Sequence, residues 1–195
     1  MLTRARRLLG RLGTQGMREG YWTTFWLPEG RAPSHALEEL VLTLAPHAAA
    51  GPRCAGLEWW LGRAHTTRIP VGFHFDLDVK GTGAVRFPLV SSVFFFNRVR
   101  GGQLAVTDQR PDARGRPRPA KATALETVAP APNRYALFAG SLFHGVLDAH
   151  GQVPGRPLPG PPGRLRRTLV INYWAARPHG VPTWAESRAY PALRR

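Results

Sequence analysis

In the run GFHFDLDVK, 72–80, His74, Asp76 and Asp78 alternate with Phe73, Phe75, Leu77 and Val79. Successive side chains of a β-strand point to opposite faces. The imidazole and the two carboxylates would then share one face, with Val71, Phe73, Phe75, Leu77 and Val79 on the other. His74 and Asp76 placed this way make two thirds of a three-residue metal site. A third ligand is offered by His144 in SLFHGVLDA. It follows the strand-like RYALFAG and precedes another apolar run, a setting in which a buried imidazole needs a partner. Two imidazoles and one carboxylate on one side of a metal leave three coordination positions open, which suits iron(II) chemistry with a co-substrate and dioxygen. Asp78 shares the ligand face but is expected behind the ligands or at the end of the sheet rather than on the metal.

These residues need a scaffold, and 195 residues suffice for a single domain with a sizeable core. A hydrophobic fraction of 43% is ordinary for a globular chain and argues against wholesale disorder. Cys54 is the single cysteine, which excludes a disulfide framework and a thiolate zinc site. No apolar run is long enough to span a bilayer and no signal peptide is legible, so a cytoplasmic protein is expected. The net charge is +15, nearly all from arginine, since only Lys80 and Lys121 are lysines. Such a balance points either to coding bias or to an anionic partner: nucleic acid, an acidic peptide or a membrane surface. No recognition motif accompanies the charge.

Along the chain, MLTRARRLLGRLG reads as a basic amphipathic helix with Leu2, Leu8, Leu9 and Leu12 on one side, either packed on the protein or lying on a membrane. SHALEELVLTLAPHAAAG reads as a second helix, with Ser34 as N-cap and Gly51 as terminator. From residue 56 onward the text changes to short strand-like runs: LEWWLG, VGFHFDLDVK, AVRFPLVSSVFFFN, GQLAVTD, ALETVAP, RYALFAG, HGVLDA and RTLVINYWA. This predicts a mainly β protein with N-terminal helices, of the jelly-roll kind. The expected organisation is one domain over 1–195: a mostly helical portion 1–55, a jelly-roll core 56–178 and a C-terminal tail 179–195. The Pro-, Gly- and Arg-rich segments 109–121 and 151–164 are expected to be mobile surface loops.

Four pieces in this order carry a family resemblance. HFD at 74–76 stands where an HxD ligand pair stands, and SSVFFFNRVRGGQLAV resembles an apolar strand, a Gly-Gly turn and a returning strand. PAPNRYALFAGSLFHGV resembles the strand leading to a distal histidine, and RRTLVINYW resembles a closing strand with an Arg-x-Ser/Thr pattern. Together they cover roughly three fifths of the chain, over 57–177. The region resembles the iron(II)/2-oxoglutarate-dependent dioxygenases, in particular their prolyl-hydroxylase-like branch. The resemblance implies a double-stranded β-helix (a jelly roll of the cupin type) in which His74, Asp76 and His144 hold Fe(II). It further implies that 2-oxoglutarate chelates the metal and is decarboxylated to succinate as dioxygen is used. Its far carboxylate then needs a fixed cation, and arginine provides a bidentate, always-charged clamp. Arg166 and Thr168 lie on one strand face and fit Arg-x-Thr, whereas Arg167 points the other way and is the alternative. The inserted loop 151–164 leaves the register of the last strand, and so the choice of arginine, open. Because Asp76 is present, hydroxylation is expected rather than the halogenation of relatives that lack this carboxylate.

Other residues are set lower. Trp59, Trp60 and Trp174 are candidates for the pocket wall or for plain packing, and Asn172 for a hydrogen bond to a ligand. His47, His65, His150 and His179 are not assigned to metal, and Arg68 is either a substrate contact or a solvated charge. GYWTTFWLPEG, 20–30, either covers a barrel mouth or closes the core. The expected substrate is a peptide or protein side chain or an amino-acid-derived small molecule. The competing readings are a jelly-roll binding module without turnover and a basic protein that binds nucleic acid or membrane.

Overall fold

The computed structural model describes residues 1–19, 23–62, 72–79, 85–154, 166–187 and 189–190. Helix α1 (Leu2–Glu19) buries Ala5, Leu8, Leu9 and Leu12, the spacing of one helical face. That stripe joins the same core cluster as α2 (Ala36–Leu44), so the protein itself covers the face that could have met a membrane. No described helix is long and apolar enough to cross a membrane. Helix α2 buries Leu37, Leu40, Val41 and Leu44, and is shorter than its sequence suggests. Pro46 opens a single 3-10 turn over Ala45–Ala48, and Ala49 in the left-handed region ends it ahead of Gly51. The N-cap is His35, not Ser34. His35 Nδ1 accepts the Leu37 and Glu38 amides at 3.2 and 3.3 Å, while the Ser34 amide donates to Glu38 Oε2 at 2.7 Å.

Twelve strands follow among the described residues: β1 (Phe25–Pro28), β2 (Gly56–Leu61), β3 (Asp78–Val79), β4 (Val85–Arg86), β5 (Val90–Phe95), β6 (Gln103–Thr107), β7 (Arg110–Pro111), β8 (Pro117–Arg118), β9 (Leu125–Val128), β10 (Arg134–Ala139), β11 (His144–Leu147) and β12 (Thr168–Trp174). They form a five-stranded sheet in the order β1-β2-β12-β5-β10 and a three-stranded sheet β11-β6-β9, with two-stranded pairs β3-β4 and β7-β8. Every strand pairing is antiparallel, and the fold is mainly β.

Alternation sorts the five-stranded sheet into two faces. Leu57, Trp59 and Leu61 of β2, Leu169, Ile171 and Tyr173 of β12, and Phe94 of β5 pack with the helices in the main core. On the opposite face Val93 and Phe95 of β5 cluster with Leu104 of the three-stranded sheet. Between these two sheets lies a cavity of about 490 Å³.

Of the two readings of 20–30, the structure supports closing the core: the stretch contributes β1, an edge strand paired to β2, with Phe25 and Leu27 buried in the main core. Two expectations change. The segment after 178, expected as a tail, returns to the core: Thr183 bridges Trp26, and Trp184 and Tyr190 pack at 5.4 and 5.9 Å from the Phe25 ring. The 109–121 segment is built, because β7 and β8 close a hairpin whose turn is tied by Asp112 Oδ1 accepting the Arg114 and Arg116 amides. Gln109 at its base is buried and donates to the Pro119 carbonyl at 2.7 Å. Of the 151–164 loop, residues 155–164 lie outside the described residues.

Candidate metal centre

The segment around His74 is not a regular strand. It joins the fold through one antiparallel bridge, in which the His74 amide donates to the His144 carbonyl at 2.8 Å and the reverse bond is 3.0 Å. Directly opposed residues of an antiparallel pair project to the same side. This bridge therefore brings together two histidines seventy positions apart, and Asp76 follows two residues on. The ring centroids of His74 and His144 are 4.6 Å apart. Gly145 permits the approach: a β-carbon there would meet the backbone of Phe73 at 3.0 Å. The apolar side of the segment is less uniform than alternation suggests, since Phe75 is buried but Leu77 and Val79 are exposed.

Asp76 sits between the two imidazoles, with Oδ1 3.4 Å from His74 Nε2 and Oδ2 3.5 Å from His144 Nε2. One ligand atom from each of the three residues falls within 4.8 Å of the others, so the group can hold a metal ion. Ligand atoms about 2.1 Å from a shared ion lie roughly 3.0–3.4 Å apart, close to these separations. The hydrogen bonds behind the rings decide the tautomer. His74 Nδ1 lies 2.9 Å from the Gly72 carbonyl and His144 Nδ1 2.9 Å from the Leu142 carbonyl. A carbonyl only accepts, so each Nδ1 carries the proton and each Nε2 presents a lone pair. Both lone pairs are aimed at carboxylate oxygens, an arrangement that a cation between them satisfies.

The charges agree. Where an imidazole takes up a proton instead, Asp76 is its counter-ion: burial pushes the Asp76 carboxyl up, but the charge of a protonated His144, the hydrogen bond and charge of a protonated His74, and the Asn172 amide outweigh it and hold Asp76 below the usual carboxylate range. Burial pushes His144 down, which favours the neutral imidazole that a metal requires. Asn172, expected to hydrogen-bond a ligand, donates Nδ2 to Asp76 Oδ2 at 3.0 Å and fixes the carboxylate, while its Oδ1 has no partner among the described residues. Asp78 is no ligand. It pairs with Arg86 and accepts the His179 amide at 3.0 Å, pinning the sheet end.

Arg166 lines the same cavity and is buried. Its guanidinium lies over the Phe95 ring at 5.2 Å and its Nη1 is 3.5 Å from Thr168 Oγ1. Its Nε has no partner among the described residues, and no described carboxylate pairs with it. Burial pushes its pKa down to about 10, so it remains charged at neutral pH. Gly62 makes room for Thr168, whose Oγ1 would lie 1.6 Å from a β-carbon at that position. Arg167 is half-buried, spends its amide on Asn97 Oδ1 at 2.8 Å, and is not among the residues lining the cavity.

Trp60 and Trp174 line the cavity, while Trp59 points into the helix-side core, 4.7 Å from Phe25. His47, His150 and His179 are exposed and away from the cluster. His65 and Arg68 lie outside the described residues. Sequence reasoning overlooks Glu58, which is buried, lines the cavity and accepts the Trp174 indole N–H at 2.9 Å. Its signal was available: alternation in LEWWL puts Glu58 on the Trp60 face, opposite Leu57 and Trp59.

The fold and site thus define a mainly β protein with a two-histidine, one-carboxylate group able to hold a metal ion. No family model and no curated protein matches the chain.

Proposed function

We propose that the chain is an iron(II)/2-oxoglutarate-dependent oxygenase that hydroxylates its substrate, with its two main sheets forming a double-stranded β-helix. One observation carries the reading. A buried guanidinium without a carboxylate partner among the described residues shares a cavity with a His-Asp-His group whose lone pairs converge. A buried charge left unpaired is costly, and an anionic co-substrate removes that cost.

His74, Asp76 and His144 would hold iron(II), and Arg166 with Thr168 would grip the far carboxylate of 2-oxoglutarate by charge-assisted hydrogen bonds. When bound, the metal and co-substrate supply oxygen activation: 2-oxoglutarate gives up carbon dioxide and becomes succinate with one oxygen atom, and a substrate C–H takes the other as hydroxyl. The chain's own part is positioning. The Gly72 and Leu142 carbonyls fix both imidazoles, and Asn172 fixes the carboxylate. Val93, Leu104, Phe138 and Val170 give the cavity an apolar wall that limits water.

The test is succinate release from 2-oxoglutarate in the presence of iron(II) and oxygen. The full chain is expected to release succinate, and Arg166→Met to raise the KM for 2-oxoglutarate at least tenfold. No iron-dependent succinate from the folded, metal-loaded chain would leave a binding module. An unchanged KM in Arg166→Met would remove the proposed clamp.

A further inference from the structure

We propose that Glu58 anchors a positively charged amino group, so that the substrate class is an amine held with its ammonium on Glu58 between Trp60 and Trp174. That the bound amine is the molecule oxidised rests on the oxygenase reading; that the cavity binds ammonium does not.

The cavity is polar at two separate places. Arg166 precedes the start of β12, whereas Glu58 is the register partner of Asn172, six residues further along the chain. The Arg166 guanidinium reaches Thr168, four extended residues or roughly 13 Å from Asn172, so co-substrate clamp and Glu58 occupy separate places in the cavity. Glu58 and Asp76 are the acidic residues among those lining the cavity, in a chain that carries +15. Asp76 is committed to the two histidines. Glu58 accepts from the Trp174 indole and from the Thr24 hydroxyl, both neutral donors, and no described cation pairs with it.

Beside it, Asn172 Oδ1 is a buried acceptor with no partner among the described residues. Acceptor capacity is therefore in excess here, and an ammonium brings three donors and no acceptor. Burial raises the Glu58 pKa to about 7, so near neutral pH a cation beside it draws it into the carboxylate form. Trp60 and Trp174 add aromatic wall of the kind that recurs around alkylammonium groups.

Register also sets the reach. Directly opposed side chains have β-carbons about 4.5–5.5 Å apart, and Asn172 touches the ligand carboxylate at 3.0 Å. Glu58 is one side chain removed from Asp76. An ammonium held there would bring a carbon only a few bonds away next to the His-Asp-His group.

The experiment measures binding to the full chain loaded with redox-inert zinc(II), by calorimetry. One arm compares L-alanine amide with N-acetyl-L-alanine amide, which offers or removes an α-amino group. The other compares Nα-acetyl-L-lysine amide with Nα-acetyl-L-norleucine amide, which does the same for a side-chain amine. In at least one arm the amine is expected to bind tenfold or more tightly than its neutral counterpart. That advantage is expected to vanish in Glu58→Gln and to survive in part in Glu58→Asp. Equal binding within both pairs, no binding by either amine, or full discrimination retained in folded Glu58→Gln would overturn the proposal. If Glu58→Gln does not fold, the two pairs measured on the parent chain decide. Amine discrimination without succinate formation would sink the oxygenase reading and keep the cation site; the reverse pattern would do the opposite.

Discussion

The two faces of the five-stranded sheet are made by the same strands, and often by adjacent residues, yet they are different materials. Toward the helices, Trp59, Leu169, Ile171 and Tyr173 are essentially fully buried in an apolar core. The N–H groups near that face without partners among the described residues, His35 Nε2 and Trp59 Nε1, sit among aromatic rings, with His35 4.7 Å from Trp184 and 5.5 Å from Trp59. Burial pushes the His35 pKa down to about 4, so this imidazole stays uncharged at neutral pH. Toward the cavity, Glu58, Arg166, Thr168 and Asn172 are just as buried but polar, and Arg166 and Asn172 each keep an atom unpartnered among the described residues. Dry packing of one face tolerates unsatisfied polarity on the other. The helix side carries stability, and binding is proposed for the cavity side.

The comparison can be broken at neighbouring positions. Ile171→Ala should cost about 2–5 kcal/mol in urea unfolding, the range for truncating a buried aliphatic side chain, and leave metal affinity of the folded protein unchanged. A metal affinity that fell with it would mean that the two faces are not separable.

Next in size is a pH effect. Because Glu58 moves from an ordinary 4.5 to about 7 through burial, the folded state keeps its proton where the unfolded chain has lost it. The parent therefore loses stability as pH rises from about 4.5 to 7, by up to about 3 kcal/mol. The nearby Asp76 and Asp78 charges act in the same direction. In metal-free protein, Glu58→Gln should gain on the parent by that amount between pH 4 and pH 8.5. A constant difference across this range would show that Glu58 is not held in its neutral form.

A smaller effect is expected at Asn172→Ala, one residue from Ile171. Removing the group that fixes a metal-binding carboxylate typically weakens metal binding ten- to a hundredfold. Unfolding free energy should change less than in Ile171→Ala. A stability loss with full metal affinity would reverse the assignment of the two faces.

Much of this division could be read from alternation alone. The runs around β2, β6, β9, β10, β11 and β12 were legible as strands because they are short alternating or apolar runs set off by Gly and Pro. His74, Asp76 and His144 were legible as a set, and the structure brings them together. What escaped depended on partners distant in sequence. The strand β1 ends in Pro28 and is defined by its pairing with β2, which no local pattern announces. The cap of α2 turned on which of two adjacent residues reaches the first amides, and His35 does so in place of Ser34. Asp78 shares the ligand face but is claimed by Arg86. Trp59 was separable from Trp60 by parity, and Glu58 was readable by the same rule.

The metal centre itself is tested most directly by anaerobic equilibrium dialysis of iron(II) against the full chain and against Asp76→Ala, with circular dichroism to verify folding. One ion per chain is expected for the parent, with affinity at least a hundredfold weaker in the variant. Equal binding by the two proteins would contradict the assignment of His74, Asp76 and His144 as one site.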